Sequence, residues 1–204
     1  MTMKIACGAL FASMASPTKR LPHVSSEGGP IILADFPSLL GWRGAFESSG
    51  HYEAACKLLD HANPAVLVFS GIESVLWEFG GPGTGHIVTV SDSHISIVRI
   101  WPDADWNDDE IDAAIVSSAT ARFGGSVVAH LTIDSGYLLA LWAPEDTAEF
   151  SEPTGSEGVP EGLSIGDGGT YVRVPCGRYE ISCGEWEEGN FDVTKLDLRR
   201  SDGL

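Results

Sequence analysis

The chain has 204 residues, 43% hydrophobic and 20% charged: enough apolar material for one core of ordinary size, and too much for a disordered chain. Twelve basic residues stand against 29 acidic ones, a formal net charge of −17. That balance repels phosphate backbones and anionic lipid surfaces, which leaves a basic protein as the partner its field would steer inward.

Residues 1–22 read as an N-terminal appendage of mobile character, because Pro17 and Pro22 discourage a continuous helix. Lys4, the apolar run after it and Ser13-Met14-Ala15 have the outline of a signal peptide. The run is poor in Leu and dotted with Gly and Ser, so a tail or a mis-assigned start competes with that reading, and a cytoplasmic location is expected. No window is long enough to span a membrane as a helix. The remaining residues, 23–200, read as a single domain. A strand at about 30–34 lies between Gly28-Gly29-Pro30 and Asp35-Phe36-Pro37. Ser48 or Ser49 can cap a helix over about 51–61, whose Tyr52, Ala55, Cys56 and Leu59 share one face. Strands follow at Val66–Ser70, Ser74–Phe79, His86–Val90 and His94–Trp101, the last apolar on both faces and therefore central. Asn107 and Glu110 have capping-box spacing for a second helix, with Ile111, Ala114, Ile115 and Ser118 as its buried stripe and Gly124-Gly125 as its stop. Strands at about 126–133 and 137–143 are expected to form a hairpin across Asp134-Ser135-Gly136. Residues 145–169, rich in Pro, Gly, Ser and Glu, read as an exposed loop before strands at 170–175, 178–183 and 190–198. The fold class is α+β, a mostly antiparallel β-sheet with about two helices.

Four pieces of this pattern occur in a suggestive order. Glu27-Gly28-Gly29-Pro30 precedes Ile31-Ile32-Leu33; Gly41-Trp42-Arg43-Gly44 is followed by His51-Tyr52-Glu53-Ala54-Ala55-Cys56. Val98-Arg99-Ile100-Trp101 runs into Ala104-Asp105, and Pro175-Cys176-Gly177-Arg178-Tyr179 comes late. Over residues 24–198 this order resembles the bacterial immunity protein 21 family. The resemblance implies a protein that neutralises a cognate toxin by binding it, so that function lies in a surface. The 22 residues before residue 23 and the insert at 145–169 depart from the family's pattern.

Chemistry of other kinds finds little footing. Gly80-Gly81-Pro82-Gly83-Thr84-Gly85-His86 lacks the Lys and the following helix of a phosphate-binding loop, and reads as a wide hairpin loop. Cys7, Cys56, Cys176 and Cys183 form no CxxC pair, and no His stands at zinc-ligand spacing from a second Cys. The six histidines are scattered and read as solvated, although His86 and His94 could meet across strands. No G-x-S-x-G elbow is present. No catalytic residue, metal ligand or cofactor site is therefore assigned.

The densest charge cluster is Asp103, Asp105, Asp108, Asp109, Glu110 and Asp112, interleaved with Trp101 and Trp106. A second, Glu185-Trp186-Glu187-Glu188, reads as a hairpin tip. Helix capping and a solvated face account for both; as contact patches, their carboxylates would pair with Arg and Lys of a basic toxin while an exposed Trp supplies an anchor. The expected activity is thus that of a free monomer binding a basic toxin, with a nuclease as the class whose cationic cleft an acidic surface can cover. Its rivals are a small hydrolase or sugar-active enzyme of unknown substrate, and a β-rich scaffold protein with no toxin partner.

Overall fold

The computed structural model describes residues 21–102, 105–148 and 168–201, which form a single-domain α+β fold. Two antiparallel sheets are stacked face to face. The larger runs from edge to edge as β1 (His23–Ser26), β5 (Gly83–Ser91), β6 (His94–Pro102), β11 (Phe191–Arg200), β10 (Gly177–Glu188) and β7 (Ala129–Ile133). The smaller runs as β3 (Ala65–Phe69), β4 (Ile72–Trp77), β2 (Ile31–Asp35), β8 (Tyr137–Trp142) and β9 (Gly169–Arg173). Helix α1 (His51–Leu59) covers the outer face of the smaller sheet, and α2 (Asp108–Thr120) covers that of the larger.

This layering explains the continuous apolar runs. In β2, Ile31 and Leu33 enter the core between the sheets, whereas Ile32 and Ala34 pack outward toward α1. In β6, Ile95 and Ile97 face the same central core while Val98 and Ile100 lie under α2. A strand covered on both faces needs hydrophobic residues at odd and even positions alike. The central placement expected for residues 94–101 is what the structure has.

Two expected hairpins are instead crossings between sheets. β7 pairs with β10 and β8 pairs with β2 and β9, so Asp134-Ser135-Gly136 turns the chain from one sheet into the other. The reason is that Ile133 and Leu138, at either side of the turn, both point into the central core, which sets the strands face to face rather than edge to edge. The Asp35 carboxylate holds this turn, accepting hydrogen bonds from the Ser135 amide and hydroxyl. Likewise Gly80-Gly81-Pro82 carries the chain from β4 to β5, which lie in different sheets, so the wide loop joins no hairpin.

The motif residues prove to be a packing unit. Trp42 is 1% exposed, stacks near His51 of α1 and Phe69 of β3, and donates its indole N–H to Ala143 O at 2.9 Å. Gly44 has φ +50°, and a Cβ there would lie 2.0 Å from Pro144 O, so only glycine allows this close approach. Tyr52 of α1 reaches back to Gly29, where a Cβ would meet its hydroxyl at 2.6 Å. In the late motif Tyr179 is buried and donates to Pro175 O at 2.6 Å. These residues hold the scaffold.

Smaller corrections follow the same logic. Gly50, with φ +76°, is the cap residue of α1, while Ser49 assists by accepting from the His51 amide at 3.2 Å. α2 ends at Thr120, short of the glycine pair, and its Asn107–Glu110 capping box is complete in both directions. Leu21 and Pro22 belong to the body: the Ile87 amide donates to Pro22 O, and Leu21 packs beside the α2 cluster. Residues 1–20 and 149–167 lie outside the described residues. Of the stretch expected to be exposed loop, Thr147 is 2% exposed and tied to the carbonyls of Leu39 and Trp42. Among the described residues no helix is long and apolar enough to cross a membrane.

Candidate protein-binding surface

The β10–β11 hairpin turns at Gly189-Asn190, since Glu188 pairs with Phe191. Glu185–Glu188 are therefore strand residues and not the tip. Alternation divides them: Trp186 and Glu188 lie on the α2 side, where Trp186 stacks on Phe123 and donates to Glu188 at 3.2 Å. Glu185 and Glu187 are exposed and share the opposite face. On that face two rows cross the sheet. Trp101 pairs with Asp192, which pairs with Glu187; Arg99 pairs with Thr194, which pairs with Glu185.

These rows line a cleft of 540 Å³ bounded by Phe79, Gly80, Trp101, Glu185, Glu187, Asp192 and Thr194, with Trp186 and Val193 also bordering it. Behind it, the Arg99 guanidinium lies 3.5 Å from the centre of the Trp101 indole and donates to the carbonyls of Phe79, Gly81 and Pro82. Burial pushes Arg99 down to about 10, still charged at neutral pH. Three carbonyls satisfy it without a carboxylate, and the cation holds the Trp101 ring in place. Gly83 is required beside it, because a Cβ would lie 2.6 Å from the guanidinium.

The acids of α2 face elsewhere. Asp108, Asp109 and Asp112, with Ile111, border a second cleft of 390 Å³ whose other wall is Leu21, His23, Thr84 and His86. The rings of His23 and His86 are 6.1 Å apart. Burial, then the charge of His23, lowers the His86 pKa, and Asp112 only partly opposes this. Asp105 is exposed, and half-buried Trp106 packs edge-on against Phe191 at 5.0 Å. Asp103 lies outside the described residues. None of Trp101, Trp106 and Trp186 is the freely exposed anchor that the sequence suggests; each is half-buried against a neighbour. Between Trp106 and Phe191 the two sequence patches do meet, around one end of the larger sheet.

His86 and His94 do not meet across strands, for His86 pairs with Val98 and His94 with Ser91. Nor is His94 solvated. It is 7% exposed and its Nε2 lies 2.9 Å from the Asp197 carboxylate. Ser96 donates to the same carboxylate and lies 3.2 Å from the same His94 nitrogen. A serine, a histidine and an aspartate are thus together, but Ser96 is wholly buried and both partners share one imidazole nitrogen. A nucleophilic relay needs serine and aspartate on opposite nitrogens and a path for substrate. The group instead braces α2. Lys195, fully buried on β11, donates to Ser118 O, Ala119 O and Ala121 O at 2.8–3.1 Å and pairs with Asp197 at 3.2 Å. It supplies the positive charge that the last turn of α2 lacks. Burial pushes the Asp197 carboxyl up, but hydrogen bonds from His94 and Ser96 and the Lys195 charge outweigh that and hold it below the ordinary range.

Asp192 and Thr194 were not legible as site residues, because their role depends on hairpin register; the Gly189-Asn190 dipeptide is the signal that places them. Among the described residues no group of three or more His, Cys, Asp or Glu could hold a metal ion. Comparison of the chain with family models, curated proteins and solved structures finds no match.

Proposed function

We propose that this protein is an immunity protein, which binds a basic cognate toxin in the cytoplasm and blocks it without chemistry of its own. The observation that carries the reading is a set of seven carboxylates, those of Asp105, Asp108, Asp109, Asp112, Glu185, Glu187 and Asp192. Among the described residues none of them pairs with a basic side chain; the ion pairs there involve Asp146 and Asp197. Charge left unpaired over one end of a sheet keeps an attractive field for a cationic surface. The order of motifs resembling the immunity protein 21 family supports the same reading. A nuclease fits as the toxin because its substrate cleft is itself cationic.

Co-expression with the product of the adjacent upstream gene, followed by toxicity and co-purification assays, tests the proposal; no complex and no protection would overturn it. In a complex so obtained, changing Asp105, Asp108 and Asp109 together to Asn should slow association and flatten its salt dependence. Attraction between exposed charges is screened over about 8 Å at physiological ionic strength. Asn107 keeps the helix cap, so melting should hardly change. An unaltered rate and salt slope would remove α2 from the interface.

A further inference from the structure

Directly opposed like charges weaken a sheet, and most strands avoid them. The larger sheet nevertheless sets Glu187 opposite Asp192, with Glu185 two residues along the same strand face. Beneath them lies Thr194, which is 4% exposed yet lines the cleft, and whose hydroxyl has no hydrogen-bond partner among the described residues. Unlike the sealed hydroxyls of Ser74 and Ser118, this one is not cut off from solvent, so a ligand atom entering the cleft can reach it. The edge of the cleft is the Trp101 indole, fixed from behind by Arg99, which does not itself border the cavity.

We propose that this cleft is the seat for one arginine side chain of the partner, its guanidinium bridging Glu187 and Asp192 and donating to the Thr194 hydroxyl beside the Trp101 ring. A planar fork with five donors can serve two carboxylates and a hydroxyl at once, which a compact ammonium cannot do with the same geometry. Bridging also converts the like-charge repulsion in the free protein into attraction in the complex. The cavity, 540 Å³, has the size of small-ligand sites of about 300–1,000 Å³ and admits a side chain with its backbone. The assignment to a partner rests on the inhibitor reading above, but the chemistry of the cleft can be tested apart from it.

The probe is N-acetyl-arginine amide, titrated into the isolated protein while the Trp101 indole N–H and Thr194 amide signals are followed by NMR. Saturable shifts at these two sites are expected, weaker with N-acetyl-lysine amide and absent with the uncharged citrulline analogue. Thr194→Val, which keeps shape and removes the hydroxyl, should weaken arginine binding by about tenfold, the worth of one hydrogen bond to a charged group. Glu187→Gln with Asp192→Asn should abolish it; a retained melting curve shows that the variants fold. Equal shifts from arginine and citrulline analogues, or none from either, would overturn the proposal. A complex with the cognate toxin whose dissociation is unchanged by both variants would also overturn it, yet leave the inhibitor reading standing. Specific arginine binding without any toxin complex would support the cleft and sink the inhibitor reading.

Discussion

Lys195→Met is the perturbation that most directly tests how the larger sheet holds α2. The lysine is fully buried, its ammonium caps three carbonyls at the end of α2, and it pairs with Asp197. Methionine fills most of the same volume, so the packing loss is small and the change isolates the polar term. Three carbonyls lose a charged donor and one buried carboxylate loses its nearest cation. Removing one member of a buried pair costs about 3–5 kcal/mol, because the survivor stays desolvated and unpaired. Asp197 keeps His94, Ser96 and Arg199 as partners, which places the expected loss toward the lower end, about 3 kcal/mol. The assay is urea denaturation of the variant, of Asp197→Asn and of the double mutant. The double mutant should lose less than the sum of the two, since the second change removes the charge that the first left uncompensated. Amide exchange in α2 should accelerate more than in the smaller sheet. A loss below about 1 kcal/mol, in the range of an exposed pair, would refute the brace.

Two further outcomes follow from the packing and from His86. Trp42→Ala should cost about 3–5 kcal/mol in the same denaturation assay, and an unchanged midpoint would contradict its burial beneath α1. The pKa of His86 is lowered in the folded state, so the unfolded chain binds its proton more readily. The native protein therefore keeps full stability above the unfolded value of about 6.5 and loses it as pH falls through and below that value, until the folded pKa is passed. Around His86 stand His23 on β1 and Asp108, Asp109 and Asp112 on α2. His86→Gln should flatten the decline in urea midpoint on mild acidification, and parallel slopes for the two proteins would show that another group is responsible.

Local physics was enough to read α2 and the place of β6. Asn107 and Glu110 announce the cap by their spacing alone, and Ile95 through Ile100, with apolar side chains on both faces, read as a strand covered on both sides. What the chain does at Asp134-Ser135-Gly136 was not legible in this way, because a tight polar turn between apolar strands serves a hairpin and a crossing between sheets equally well. The choice falls to the central core, which Ile133 and Leu138 enter from opposite sheets. The same holds for the acidic clusters. Sequence adjacency joins Trp101 to Asp108 and Asp109, but a strand end and a helix start point their side chains to different faces of the sheet. Trp101 gains Asp192 and Glu187 as neighbours instead, through a register set by the turn at Gly189-Asn190. Lys195, a charge wholly buried in β11, has no local explanation at all. It is buried because the carbonyls that satisfy it, those of Ser118, Ala119 and Ala121, come from more than 70 residues away.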